Sequence, residues 1–137
     1  MGLILDSSVV IAAERRGATV AQLLGQIVAV AGDQRAVLSA VGLTELVHAT
    51  WRSKTPEVRR QRERFIEDLL ADMDVVSYTK DTAMLAGRID GEQRSQGVTI
   101  PSVDLLIGAT ALEHGYAMAT VNIRHFRLIP GLQVIAF

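Results

Sequence analysis

Short apolar runs alternate along the chain with longer segments in which apolar residues recur at helical spacing. The short runs predict strands, and the longer segments predict amphipathic helices. The expected strands cover residues 3–5, 36–39, 75–78, 117–120 and 132–135, and the expected helices cover residues 9–14, 20–31, 41–52, 56–72, 80–96 and 102–114. This alternation indicates an α/β sandwich with a mostly parallel central sheet, and we expect residues 1–137 to form a single domain.

Single residues mark several of the helix boundaries. Thr55 supplies a capping hydroxyl directly before Pro56, which suits the first position of a helix. Thr79 is expected to cap the helix that follows the third strand. Gly115 follows His114 where a helix is expected to end, a position at which glycine is common.

The composition narrows the class of protein. The chain has 137 residues, of which 49% are hydrophobic and 21% charged, so it is not a disordered or low-complexity segment. Its net charge of −1 excludes binding of nucleic acid through bulk positive charge alone. The absence of cysteine excludes disulfides, thiolate metal sites and a cysteine nucleophile. No apolar run reaches the roughly 18 residues of a membrane span, and no basic region precedes the first apolar run, so we expect a cytoplasmic protein without membrane contact.

Three carboxylates stand isolated in apolar surroundings. Asp6, Glu45 and Asp104 are each the only formally charged residue within a long stretch of chain. Each lies just after a predicted strand or near the start of a predicted helix, and the loops at the carboxyl ends of parallel strands converge on one crevice. Three acids in one crevice repel one another and raise one another's pKa values, a conflict that a divalent cation removes. Oxygen ligands without histidine or cysteine suit Mg²⁺ or Mn²⁺.

Each of these acids also has a purely structural interpretation. Asp6 is placed to cap the helix that follows it, and Asp104 lies in the first helical turn, where the helix dipole favours a negative charge. Glu45 is placed to pair with Arg52 on the same helix face. Gly108, one turn beyond Asp104, would let a polymer backbone or a facing element approach the acid, and ordinary helix packing explains it equally well.

Four motifs, in this order, carry a family resemblance. They are residues 3–10 (LILDSSVV), residues 43–46 (LTEL), residues 104–111 (DLLIGATA), and residues 119–126 (ATVNIRHF) followed by residues 129–132 (IPGL). The ordered set resembles PIN-domain proteins, and specifically the VapC-type toxins of bacterial toxin–antitoxin pairs. The resemblance covers essentially the whole chain and implies a PIN-like three-layer α/β/α sandwich.

This resemblance implies an endoribonuclease that hydrolyses RNA phosphodiesters with metal-activated water. It implies Mg²⁺, with Mn²⁺ as the substitute, as the cofactor, a VapB-type antitoxin as a protein partner, and a homodimer as the assembly. Carried over by position, Asp6, Glu45 and Asp104 are its catalytic and metal-site residues. Ser8 and Thr120 match hydroxyl positions near that site.

The chain departs from the fuller acidic pattern in its last motif. Where many PIN domains carry a further Asp, this chain has Asn122 and His125. Asn122 is a candidate metal ligand or phosphate-orienting residue, and because an amide brings no charge, a second metal site is expected to be weak. His125 and the other two histidines share no metal-ligand spacing, so we assign them no role in the site.

Two other functions remain open at this point. One is a catalytically weak PIN-like module that binds RNA or an antitoxin without cutting, which the missing fourth carboxylate favours. The other is a receiver-like signalling domain, which also places acids at strand ends. A receiver would carry adjacent acids after the first strand, whereas Ser7 follows Asp6 in this chain.

A basic stretch lies in the fourth predicted helix. Its arginines could approach an RNA backbone, but a solvated helix face is the preferred interpretation. The residues concerned are Arg59, Arg60, Arg62 and Arg64.

Overall fold

The computed structural model describes residues 2–137, and within them helices flank one five-stranded sheet. The strands are β1 (Gly2–Leu5), β2 (Arg35–Ser39), β3 (Val75–Val76), β4 (Ala117–Thr120) and β5 (Val134–Ala136). The helices are α1 (Ser7–Arg15), α2 (Val20–Ala31), α3 (Ala40–Trp51), α4 (Pro56–Asp72), α5 (Lys80–Ser95), α6 (Ser102–His114) and α7 (Ile123–Phe126). The strand order is β3-β2-β1-β4-β5, and every neighbouring pair is parallel. The predicted α/β/α sandwich is confirmed, with a sheet that is parallel throughout rather than mostly parallel.

The sheet separates two hydrophobic cores, because successive side chains of a strand point to opposite faces. On one face, Leu3 and Leu5 of β1 pack with apolar residues of α1, α2 and α4. On the other face, Ile4 packs with residues of α5 and α6 and with Phe126 of α7. Every residue of β1 and β4 is buried, which is why both strands are continuous apolar runs in the sequence.

Three elements differ from the sequence prediction. The strand predicted over residues 75–78 pairs with β2 only through Val75 and Val76, at the edge of the sheet. The last strand begins at Val134 rather than at residue 132, because Leu132 lies in the turn before it, with its N–H bonded to the carbonyl of Ile129. Helix α7 was not predicted, since a single helical turn is too short to show apolar periodicity.

The helix boundaries that single residues marked in the sequence are confirmed. The Thr55 hydroxyl accepts from the backbone N–H of Val58, and the Thr79 hydroxyl accepts from that of Thr82. Gly115 ends α6 in the left-handed conformation, with φ of 69°. Across residues 2–137, none of the helices combines the length and apolar character needed to cross a membrane.

The carboxyl ends of the central strands bring distant parts of the chain to one edge of the sheet. Asp6 follows β1, Ser39 ends β2 and caps α3, and Thr120 ends β4. Because β1 lies between β2 and β4, the residues after all three strands are neighbours. This edge is therefore where the candidate site residues are found.

Candidate active site

Asp6 is the buried centre of the site. It occupies the position before α1, with 2% of its surface exposed, and its backbone N–H bonds to the carbonyl of Ala119 at 2.9 Å. Its side chain makes no capping hydrogen bond to α1. Instead, its Oδ2 accepts from the Ser8 hydroxyl at 2.6 Å and from the Thr120 hydroxyl at 2.8 Å. The interpretation of Asp6 as a helix cap is therefore wrong.

The two hydroxyls that bind Asp6 are themselves oriented by backbone amides. The Thr120 hydroxyl accepts from the N–H of Asn122 at 2.8 Å, and the Ser8 hydroxyl accepts from the N–H of Val121 at 3.2 Å. Since each hydroxyl already accepts from an amide, its single proton is free to donate to Asp6. Both hydroxyl positions named from the sequence thus lie at the site and hold one carboxylate oxygen in place.

Glu45 reaches the site from α3. Its Oε1 accepts from the Ser7 hydroxyl at 2.8 Å, and Ser7 is the residue that follows Asp6. No ion pair joins Glu45 to Arg52 in the part of the chain that the structure describes, so that structural interpretation is wrong. The single bond to Ser7 engages one carboxylate oxygen of Glu45.

Asp104 lies in the first turn of α6, as predicted, and contacts a residue to which the sequence analysis assigned no role. Its Oδ2 accepts from Nδ1 of His125 at 2.7 Å. The side chains are 15% exposed for Asp104 and 35% exposed for His125. The sequence contained one signal for this contact, since His125 stands in the motif where a further acid is common. The histidine was given no role because we considered only the spacing typical of metal ligands.

The three acids share one electrostatic environment. Burial is the main reason that the pKa of Asp6 is raised, and the charge of Asp104 adds to it, while the bonds from Ser8 and Thr120 oppose it. Burial also raises the pKa of Glu45, helped by the charges of Asp6 and Asp104 and opposed by the Ser7 bond and by His48. The repulsion expected from the sequence therefore contributes to the raised pKa of both Asp6 and Glu45.

This charge is not compensated by lysine or arginine side chains. Between residues 2 and 137, no lysine or arginine forms an ion pair with Asp6, Glu45 or Asp104. Over the same residues, no three Asp, Glu or His side chains are arranged as a ready metal cage. The acids are close enough to influence pKa values within the group, but their oxygens are not arranged around one common point.

Asn122 contributes its backbone rather than its side chain. It is exposed, it precedes α7, and its N–H bonds to Thr120. Its side chain caps nothing in α7. The proposed metal or phosphate role of its amide therefore stays a prediction.

Gly108 serves packing between elements rather than access for a polymer. A Cβ placed on Gly108 would collide with Ile129 and would lie 3.3 Å from side-chain atoms of Phe126 and Leu132. The space beside Gly108 is thus filled by the second hydrophobic core. This core holds α7 and the turn after it close to α6.

The basic stretch of α4 is largely occupied by acids of the same molecule. Arg59 lies 3.8 Å from Glu63, and Arg60 lies 3.7 Å from Glu57. Arg62 reaches Glu14 of α1 at 3.5 Å. These pairs agree with the solvated-face interpretation.

Comparison with known proteins places this chain in a family. The family model described as PIN domain matches residues 3–132. The ribonuclease VapC1 of Rickettsia felis is 33% identical over 137 residues, which cover 98% of this chain and 96% of the relative. The tRNA(fMet)-specific endonuclease VapC of Salmonella typhimurium is 27% identical over 100 residues, with 73% and 74% covered.

A solved structure shows the same fold. The crystal structure of VapBC2 from Rickettsia felis, bound to a DNA fragment from their promoter, superposes with a TM-score of 0.86 at 20% identity, over 100% of this chain and 99% of that one. The resemblance stated from the sequence motifs is confirmed. The chain belongs to the PIN-domain family, and VapC ribonucleases are among its relatives.

Proposed function

We propose that this protein is a Mg²⁺-dependent endoribonuclease and the toxin of a VapBC-type toxin–antitoxin pair. The observation that carries the proposal is Asp6, a carboxylate that is 2% exposed, bound by two hydroxyls and subject to the charge of a second acid. A folded protein gains no stability from this arrangement, because burial disfavours the charged form. Such a cost is typical of a site that binds a cation or performs chemistry. The named activity of the VapC relatives supports a ribonuclease.

The donor set fits a hard divalent cation. Asp6, Asp104 and Glu45 offer carboxylate oxygens and no sulfur, which suits Mg²⁺, with Mn²⁺ as a substitute. The absence of paired lysine or arginine among the described residues leaves the negative charge for a cation to balance. When bound, such an ion lowers the pKa of a water molecule and offsets charge on the phosphate.

The side chains around the acids have separate roles in holding the ligands and the attacking water. Ser8 and Thr120 hold one oxygen of Asp6 and leave its other oxygen free of side-chain hydrogen bonds. Glu45 has one oxygen on Ser7, so the other is available to complete the ligand set or to hold the attacking water. The raised pKa of Glu45 brings it nearer to the range in which a carboxylate exchanges protons effectively. The attacking group is water, so no nucleophilic side chain is required.

A VapB-type antitoxin and a second copy of the chain are the proposed protein partners. The VapBC2 neighbour supports the antitoxin, because it is a toxin–antitoxin assembly. A mainly apolar groove between α1, α3 and α4 offers a place for it, with Arg62 and Glu14 at its polar rim. Exposed large apolar residues such as Val47 and Val28 leave surface for a homodimer. Light scattering of the isolated chain at tens of micromolar tests the dimer, and a monomer there contradicts it.

A catalytically weak module is the second candidate. It would bind RNA or the antitoxin without cutting, and two observations favour it. The described residues contain no ready cage of three ligands, and Asn122 stands exposed and uncharged where a further acid would complete the site. Only the first candidate predicts cleavage of RNA.

Cleavage of total RNA separates the two candidates. Purified protein is incubated with RNA with and without Mg²⁺, and the new 5′ ends are mapped. We expect defined ends that require Mg²⁺ and that are lost in Asp104→Asn with an unchanged circular dichroism spectrum. Asp68→Asn, on the exposed surface of α4, is the matched control and keeps its activity. Binding without metal-dependent ends supports the weak module, and activity of Asp104→Asn above about a tenth of wild type removes Asp104 from the site.

A further inference from the structure

We propose that His125 is a positioning residue that orients Asp104 for metal binding, and that Gly108 makes this contact possible. The inference rests on the proposed function, because it concerns a ligand of the proposed metal. His125 would not touch the metal itself. Its role is to fix which oxygen of Asp104 is presented to the cation.

The chemistry of the two side chains shows which of them donates the hydrogen bond. His125 Nδ1 and Asp104 Oδ2 are 2.7 Å apart, and an ionised carboxylate can only accept, so the imidazole donates through Nδ1–H. This bond engages Oδ2 and leaves Oδ1 of Asp104 for the cation. It joins α6 to α7 across 21 positions of sequence.

The position of His125 is set by its neighbour in the chain. α7 has only four residues, too few to be stable alone, and Phe126 anchors it with a side chain that is 0% exposed. Ile129, in the turn that follows, is 2% exposed and packs in the same core. Because His125 directly precedes this buried anchor, its ring is held beside α6.

Gly108 is the reason that α7 lies so close to α6. It is one turn beyond Asp104, so both residues lie on the same face of the helix. A Cβ at Gly108 would collide with Ile129 and crowd Phe126. A Cβ here would meet the ends of the Ile129 and Phe126 side chains, so those side chains would have to shift. We expect this shift to move α7 and to weaken the bond between His125 and Asp104.

An oriented carboxylate has an advantage over a free one. Asp104 is only partly buried, so without a partner its side chain would rotate and would lose conformational freedom on binding the metal. Hydrogen-bond partners of metal ligands typically contribute 10–100-fold to metal affinity or activity. His125 is the only side chain within hydrogen-bond distance of Asp104 among the described residues.

Mn²⁺ binding to the purified protein, without RNA, tests this role directly. His125→Leu removes the donor, and we expect Mn²⁺ affinity by titration calorimetry to fall about 10–100-fold. His125→Asn places an amide N–H where Nδ1 was, and should restore affinity to within about threefold of wild type. His125→Gln moves its donor one bond further from the backbone, and is a second loss variant if His125→Leu does not fold.

His114 offers a matched control. It is 30% exposed, and its Nδ1 bonds at 2.8 Å to the carbonyl oxygen of Thr110 rather than to a site acid. His114→Leu therefore removes a similar histidine without touching Asp104, and should leave Mn²⁺ affinity unchanged. Equal losses in His114→Leu and His125→Leu would overturn the proposal.

A double-mutant cycle tests the part played by Gly108. Gly108→Ala should lower Mn²⁺ affinity in the same direction as His125→Leu, because both break one contact. The double variant should then bind no more weakly than His125→Leu alone. Fully additive losses would show that Gly108 acts independently of His125 and would overturn that half of the inference.

RNA cleavage kinetics distinguish positioning from substrate contact. At saturating Mn²⁺, a misoriented ligand lowers kcat and leaves the KM for RNA unchanged. If His125 instead contacts RNA, KM rises while Mn²⁺ affinity stays at the wild-type value, which overturns the proposal. Wild-type protein that binds no Mn²⁺ and cuts no RNA overturns the proposed function, whereas normal wild-type binding with an unaffected His125→Leu overturns only this inference.

Discussion

Replacing Asp6 by Asn should make the protein more stable and inactive at the same time. The Asp6 carboxylate is 2% exposed, and burial together with the charge of Asp104 raises its pKa. At neutral pH the native state must therefore hold a charged group that its surroundings disfavour. Asn keeps an oxygen at the position that accepts from Ser8 and Thr120, while it removes the charge. The bonds from Ser8 and Thr120 survive and the electrostatic cost disappears.

The expected gain is modest but measurable. Relief of such a site commonly adds roughly 0.5–2 kcal/mol to the free energy of unfolding. For a domain of this size, about 1 kcal/mol corresponds to roughly 4 °C in Tm, so the shift should be about 2–8 °C. Asp68→Asn, an exposed acid on α4, should change stability by less than about 0.5 kcal/mol and controls for the loss of one charge.

The raised pKa of Asp6 also predicts how the stability difference between wild type and Asp6→Asn changes with pH. A carboxyl whose pKa is raised in the native state binds its proton more tightly there than in the unfolded chain. The stability that this proton contributes is fully present below the usual pKa of 3.8 and is lost as the pH rises through the raised value. Wild type should therefore lose stability relative to Asp6→Asn as the pH rises from acid to neutral.

Urea unfolding in chelator-containing buffer, at several values between about pH 4 and about pH 8, measures this difference. The gap between Asp6→Asn and wild type should widen with pH and then level off. The reasoning is refuted if Asp6→Asn is no more stable than wild type at neutral pH. It is also refuted if the gap is independent of pH, since the gain would then not come from charge.

Three further predictions concern the hydroxyls, the amide and the basic helix. Thr120→Val removes a buried donor to Asp6 and should lower the free energy of unfolding, measured in urea, by about 1–3 kcal/mol. The control Thr110→Val loses only a bond within its own helix and should cost clearly less. Equal costs for the two variants contradict the role of Thr120. Asn122→Asp should tighten Mg²⁺ binding by calorimetry and lower the Mg²⁺ needed for half-maximal cleavage, and unchanged binding would show that carboxylate count does not limit the site. Changing the four arginines of residues 59–64 to Gln should leave the salt dependence of RNA binding unchanged, because three of them already pair with acids. If the plot of log binding constant against log salt concentration instead flattens by roughly 0.7 per arginine, these side chains contact RNA phosphates.

The sequence by itself determined the elements and the candidate acids. Alternation of apolar runs, the capping hydroxyls of Thr55 and Thr79, and the glycine after α6 are local features, so they could be read without the fold. Asp6 and Asp104 were visible because an isolated charge in an apolar stretch needs an explanation. The sequence patterns failed only for short elements, such as the single turn of α7 and the two-residue edge strand β3.

Only the tertiary structure decided which groups touch those acids. Thr120 meets Asp6 across 114 positions, Ser7 meets Glu45 across 38, and the ring of His125 meets Asp104 across 21. Two of these contacts depend on the strand order, which places β1 between β2 and β4, and the third depends on the packing of α7 against α6. Local patterns carry no information on such pairings, because they arise from burial of both faces of the sheet and from the space left at Gly108. The acids were therefore predictable from the sequence, and their hydrogen-bond partners were not.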